Sequence, residues 1–219
     1  MPNLPGSATH DRIVETSLDL FATHGYAGAS MREIALKVGI QPASLYSHFR
    51  SKEDVLWHVC QWTVDTATQL MDSVEASAKT PLERFALFIH SFVVFHAEHR
   101  REALVTSTQW RSLNSERDIA KRYHDRARGY VQAIDDTGMV RIQDIEQVTL
   151  ALLDLNIGVA TWYRPAAHCA PHDLASSYVQ LALSMLRFRS NGHLPVGVQR
   201  ILEPTTSRDV ERMMASHTN

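Results

Sequence analysis

Two cysteines, nine glycines and eight prolines among 219 residues set the first limits. Cys60 and Cys169 stand far apart in the chain, so they build neither a disulfide framework nor a zinc ribbon. A reduced, cytoplasmic setting is the expectation. With so little glycine and proline, few tight turns can be made, and long helices are expected. Long apolar runs are missing too. The stretches around 85–95 and 150–163 are broken by His90, Ser91, Asp154 and Asn156. Neither resembles a membrane span of roughly 20 apolar residues. Residues 1–11 lack the basic start and apolar run of a signal peptide.

Positive charge is scarce as well. The formal net charge is −2 and the pI is about 6.6. The first fifty-four residues do not depart from this balance. Arg12, Arg32, Lys37, Arg50 and Lys52 stand against Asp11, Glu15, Asp19, Glu33, Glu53 and Asp54. A protein that binds nucleic acid by bulk attraction is thereby excluded. Any DNA affinity must come from charge placement, helix termini and the avidity of a dimer.

What is present is helical periodicity throughout, with no strand pattern, internal repeat or low-complexity tract. The spacing predicts a first helix from about Thr9 to His24, ended by Gly25, with Ile13, Leu18, Phe21 and Ala22 on one side. Ser30 and Glu33 form a capping box that starts a second helix at Met31. Ile34, Ala35 and Val38 share its inner face, and Gly39 supplies the left-handed exit. Pro42 opens a third helix of about two turns, in which Leu45 and Phe49 point inward. Ser51 and Asp54 cap a fourth, running to about Ala78.

Further helices are expected from Pro81, from Glu102 to Trp110, and over Ile119–Ile134, with a break at Leu113-Asn114-Ser115. Asp144 caps a nearly all-apolar helix stopped by Pro165. Pro171 opens a last long helix with a stripe of Leu174, Tyr178, Leu181, Met185 and Phe188. Two consecutive helices of this kind pair well with their copies in a symmetric four-helix contact. Residues 191–219 are polar and mixed, with a short helix possible from Arg208 to Met214 and a role that the residues do not reveal.

The segment Arg12–Leu56 resembles the DNA-binding domain of the TetR family of bacterial transcriptional regulators. The likeness is carried by Ala22–Tyr26 (ATHGY), Ser30, Arg32, Ile34, Ala35, Val38, Gly39–Pro42, Ser44–Phe49, Ser51–Glu53 and Leu56. It implies an all-α protein of about nine helices. Residues 9–54 would form a helix-turn-helix head, 55–190 a ligand-binding and dimerisation domain, and 191–219 an extension. It implies a homodimer, made by the last two long helices, that reads palindromic operator DNA and is released by a small effector. Repressor and activator are not separated by sequence.

At the DNA, Gln41 can hydrogen-bond a base edge, and Pro42 and Ala43 can touch a thymine methyl, with Ser44 beside them. Tyr46, His48 and Lys52 carry the donors that the family uses on phosphates. Ser30 and Arg32 stand where the DNA backbone passes. Ser47 departs from the second aromatic found in many relatives, and that position contributes less contact.

Aromatic and amphipathic side chains crowd the middle helices: Trp62, Phe88, Phe92, Phe95, His96, Trp110, Tyr123, Tyr130 and Trp162. They either line a site for a mostly apolar ligand or fill core. Thr161-Trp162-Tyr163-Arg164-Pro165 resembles the end of the penultimate helix in a TetR subgroup that responds to acyl-CoA thioesters. Arg164, with Arg111 or Arg122, would meet a phosphate or carboxylate, or would cap a helix C-terminus.

Twelve histidines raise a second class, a helical-bundle metal-dependent enzyme using His90, His96 and His99. His168, Cys169 and His172 form another sequence cluster. Neither has a recognised ligand spacing, and no nucleophile elbow, phosphate loop or H-E-x-x-H occurs. No catalytic residue, resident metal or cofactor is therefore assigned.

Overall fold

The computed structural model describes residues 8–109, 117–167, 169–188 and 194–203. Among these described residues ten α-helices follow one another: α1 (Ala8–Gly28), α2 (Met31–Val38), α3 (Pro42–His48), α4 (Lys52–Ser77), α5 (Pro81–Glu98), α6 (Arg100–Gln109), α7 (Arg117–Asp135), α8 (Ile145–Trp162), α9 (Pro171–Met185) and α10 (Val196–Leu202). Among the described residues there is no strand. The expected all-α class, of about nine helices, is observed among the described residues. α10 lies within the segment whose role the residues did not reveal. The anticipated break at 113–115 and the short helix at 208–214 fall outside the described residues.

The chain forms two compact units. Of the described residues, those up to Gln69 and those within His99–Tyr123 make one, and those within Leu70–Glu98 and from His124 onward make the other.

In the first unit the core is Ile13, Leu18, Phe21, Ile34, Val38, Leu45, Phe49, Leu56 and their neighbours. Burying each large side chain of this set stabilises the unit by roughly 1.5–3 kcal/mol. The local starts and stops follow their residues. The Glu33 amide donates to Ser30 Oγ at 3.2 Å. Gly39, at φ 76°, turns the chain out of α2 while its amide and that of Ile40 donate to the Ala35 carbonyl. The left-handed backbone at Gly39 is what lets two helices meet in so few residues. The Asp54 amide donates to Ser51 Oγ at 3.1 Å, and the Asp54 carboxylate accepts from the Arg50 amide at 2.9 Å. α1 leaves helical geometry at Gly25, where its ending is expected.

In the second unit α5 packs against α8, α9 and α10, and α9 also packs against α10. α10 passes close to α5 at Gly197, where a Cβ would stand 1.7 Å from Glu83 Oε1, so a larger residue there would require the Glu83 carboxylate to swing aside. α8 is capped by Asp144, whose carboxylate accepts from the Gln147 amide at 3.0 Å. Tyr163 Oη donates to the Cys169 carbonyl at 2.9 Å and fastens the α8–α9 loop. The inner face of α9 is Leu174, Ala175, Val179, Ala182 and Leu183. The stripe anticipated for α9 is therefore only partly the buried one. Leu181 and Met185 face outward, 46% and 51% exposed, because the core selects the neighbouring small and branched residues. α8 also leaves Leu150 and Trp162 exposed.

Candidate nucleic-acid interface and ligand site

The surface of α3 is built from the residues that its core leaves over. Leu45 and Phe49 are fully buried, which fixes the rotation of the helix. Gln41, Pro42, Ala43, Ser44, Tyr46 and Ser47 are then exposed, and His48 is half-buried. Tyr46 stands out with 53% of its surface free. Ser47 Oγ donates back to the Ser44 carbonyl at 2.7 Å, so its hydroxyl proton is already engaged. Ser30 and Arg32, at the start of α2, are exposed.

Lys52 has a structural assignment that the sequence did not reveal. Its ammonium donates to the Tyr26 and Ala29 carbonyls at 2.7 and 2.8 Å and lies over the Tyr26 ring. Two of its three protons thus hold the α1–α2 connection. Arg12 is likewise occupied, donating to the Val38 carbonyl at the end of α2. Arg12, Arg32, Lys37 and Arg50 are all exposed, and of these Arg12 is the one held by the Val38 carbonyl. On the acidic side, Arg101 of α6 pairs with Glu15, at 2.6 Å, and with Asp19. A charge count over the first fifty-four residues could not include Arg101, because it arrives from a distant segment.

Five of the residues proposed for a ligand meet within the second unit. Phe88, Phe92, Phe95, His96 and Tyr130 form one cluster in the second unit. Phe88 lies 5.0 Å from Phe92 and 5.4 Å from Tyr130, and Phe95 lies 5.4 Å from His96, centroid to centroid. All five are buried. Tyr130 Oη donates to Glu75 Oε1 at 2.7 Å, and that carboxylate also accepts from Arg126 at 2.8 Å. Burial and this neighbouring carboxylate push the Tyr130 phenol upward. Trp62 and half-buried Tyr123 belong to the first unit, where Trp62 meets His99 edge-on at 5.0 Å. Trp162 is 40% exposed. Arg164 is exposed and donates to the Thr161 and Tyr163 carbonyls, the helix-capping arrangement. Trp110, Arg111 and His168 lie outside the described residues.

Asn156 was legible only as an interruption in an apolar run. In α8 it is fully buried, and neither amide atom has a hydrogen-bond partner. Both atoms therefore retain their capacity to meet a polar group of a ligand. An asparagine midway along an otherwise apolar helix was the available signal.

The histidine trio His90, His96 and His99 does not form a metal centre. Among the described residues no group of three or more His, Cys, Asp or Glu side chains is arranged to hold a metal ion. His96 is buried, and its Nδ1 is engaged with the Phe92 carbonyl at 2.6 Å. Burial pushes its pKa down to about 4. His90 is placed against His172, not against His96.

Residues 13–59 match the model for bacterial regulatory proteins of the tetR family, and residues 78–186 match the model for the tetracyclin repressor-like C-terminal domain. The HTH-type transcriptional repressor KstR2 of Mycolicibacterium smegmatis is 25% identical over 193 residues, covering 83% of this chain and 92% of KstR2. YerO of Bacillus subtilis, an uncharacterized HTH-type transcriptional regulator, is 36% identical over 75 residues. That match spans 33% of this chain and 26% of YerO, about a quarter of that relative's length. A crystal structure of AibR in complex with isovaleryl coenzyme A and operator DNA shares the fold, with a TM-score of 0.71 and 22% identity over 79% of this chain and 97% of AibR. No helix among the described residues is long and apolar enough to cross a membrane.

Proposed function

The chain belongs to the TetR family of bacterial transcriptional regulators, and from that premise we propose that it is a ligand-released repressor acting as a homodimer on palindromic operator DNA. The observation that carries the reading is the exposed face of α3, where Gln41, Pro42, Ala43, Ser44 and Tyr46 surround nothing but solvent above a rigid Leu45–Phe49 anchor. A short helix held this firmly enters a major groove with its first residues at base edges. Ser30, Arg32, His48 and the remaining proton of Lys52 meet phosphates, with Ser47 beside them. The functional division is a DNA-reading head over residues 9–54, a ligand and dimer domain over 55–190 and an extension beyond.

Dimer formation is supported by the apolar side chains that α8 and α9 leave outside: Leu150, Trp162, Leu181 and Met185. Two copies joined there present two heads to two half-sites, and avidity supplies what the balanced charge withholds. The effector is small and largely apolar, or an acyl-CoA thioester, as in the AibR complex. It would lie against Phe88, Phe92, Phe95, His96 and Tyr130, with Asn156 meeting a polar group. Its binding shifts the dimer toward a head spacing that no longer fits the operator. The protein works in the cytoplasm.

Fluorescence anisotropy with DNA from upstream of the gene tests this reading. The expected result is sequence-selective binding that weakens with salt. Equal affinity for random DNA of the same length and composition would overturn it.

A further inference from the structure

The second unit sets His90 of α5 beside His172 in the first turn of α9, two residues far apart in sequence. Their ring centroids are 5.4 Å apart and their planes are inclined by 32°. Nε2 of His90 and Nδ1 of His172 are both buried, and neither has a hydrogen-bond partner. A buried ring nitrogen without a partner is costly, and two of them on adjacent rings ask for a shared third species. We propose that His90 Nε2 and His172 Nδ1 together ligate a transition-metal dication of the zinc and copper class.

The spacing fits. A metal–imidazole bond of about 2.0–2.1 Å, plus about 1.15 Å from nitrogen to ring centre, places each centroid about 3.2 Å from the ion. Two such rings at a tetrahedral angle have centroids about 5.2 Å apart, close to the separation observed. Both residues keep part of their surface in solvent, so the ion has a route in. Neutral imidazoles select zinc and copper over magnesium and calcium, which require oxygen ligands. Asp173, also in the first turn of α9, offsets the positive end of that helix.

Among the described residues no third His, Cys, Asp or Glu joins the pair, and the proposed site is a two-histidine one with its remaining positions open to water. Such a site exchanges its ion readily. It ties the middle of α5 to the start of α9, and makes the second unit sensitive to metal supply. It is not a revival of the three-histidine enzyme, because it does not use His96 or His99. Metal binding here stands whether or not the repressor reading holds.

The test uses tag-free, chelator-treated full chain titrated calorimetrically with zinc chloride alone. One site per chain is expected, with a rise in melting temperature that grows with zinc concentration. His90→Phe and His172→Gln should each lower the affinity more than about tenfold. Cys169→Ser should leave it unchanged. Cobalt(II) should give d–d absorption bands with the parent chain that vanish in His172→Gln. Melting without metal checks that each variant is folded. No zinc binding by the parent chain overturns the site. So does zinc bound as tightly by a folded variant carrying both His90→Phe and His172→Gln as by the parent, or loss of the site in Cys169→Ser.

Discussion

Lys52 Nζ lies 4.3 Å from the centre of the Tyr26 ring and donates to the Tyr26 carbonyl at 2.7 Å. The same ammonium reaches the Ala29 carbonyl at 2.8 Å. Lys52→Met keeps the stem and removes all three contacts. Hydrogen bonds to a charged donor contribute about 1.5–3 kcal/mol and a cation–π contact about 0.5–1, part of which water recovers at this half-buried site. A net loss of about 1–2 kcal/mol in urea unfolding is expected, together with weaker operator binding. An unchanged urea midpoint would show that the pin carries no stability.

Tyr46 provides the contrast. It is 53% exposed on α3. Tyr46→Ala should leave stability within about 0.5 kcal/mol, as exposed substitutions usually do. Operator affinity should fall, and anisotropy measured beside thermal melts checks both halves. A variant that melts normally and binds the operator as tightly as the parent would remove Tyr46 from the interface.

The outward apolar residues of α9 predict the assembly state. Leu181 and Met185 are one turn apart and about half exposed. Leu181→Glu with Met185→Glu places two carboxylates in the proposed dimer contact. Size-exclusion chromatography with light scattering should show monomers, and operator binding should fall with the lost avidity. A dimer that survives both substitutions would place the contact elsewhere.

Much of this fold was legible because its signals are local. Ser30, Gly39, Pro42 and Ser51 each act within four residues, so the helix-turn-helix boundaries could be read directly. The face of α9 was less legible, since Leu181 and Leu174 are equally apolar and only the packing on α5 decides which is buried. The occupations of Arg12, Lys52 and Arg101 were hidden for a related reason. Each acts on a carbonyl or carboxylate more than twenty residues away. The His90–His172 pairing likewise exists only once α9 lies on α5, whereas sequence proximity had suggested His96 and His99.

Asn156 gives a prediction of unusual sign. Both of its amide atoms are buried without partners. A buried unsatisfied group costs about 1–3 kcal/mol, and leucine has nearly the same shape. Asn156→Leu should therefore raise the urea midpoint of the ligand-free protein by up to about that much. A fall in stability would mean that the amide is satisfied by bound water and belongs to the core.

His96 predicts a pH dependence confined to one window. Burial holds its folded-state pKa at about 4, against 6.5 for the free side chain. Its Nδ1 also faces the Phe92 carbonyl, which favours protonation but does not offset the burial. The unfolded chain therefore binds the proton first. Stability associated with the neutral imidazole is complete above pH 6.5 and is lost as pH falls from about 6.5 to about 4. Carboxylates and other histidines titrate nearby, so the measurement is a difference. Urea midpoints of the parent and of His96→Gln are compared from pH 7.5 to 4.5. The gap between them should be constant above pH 7 and should shift against the parent, by up to about 1.4 kcal/mol per pH unit, inside the window. A gap that stays flat from pH 7.5 to 4.5 would show that His96 is not held neutral in the folded chain.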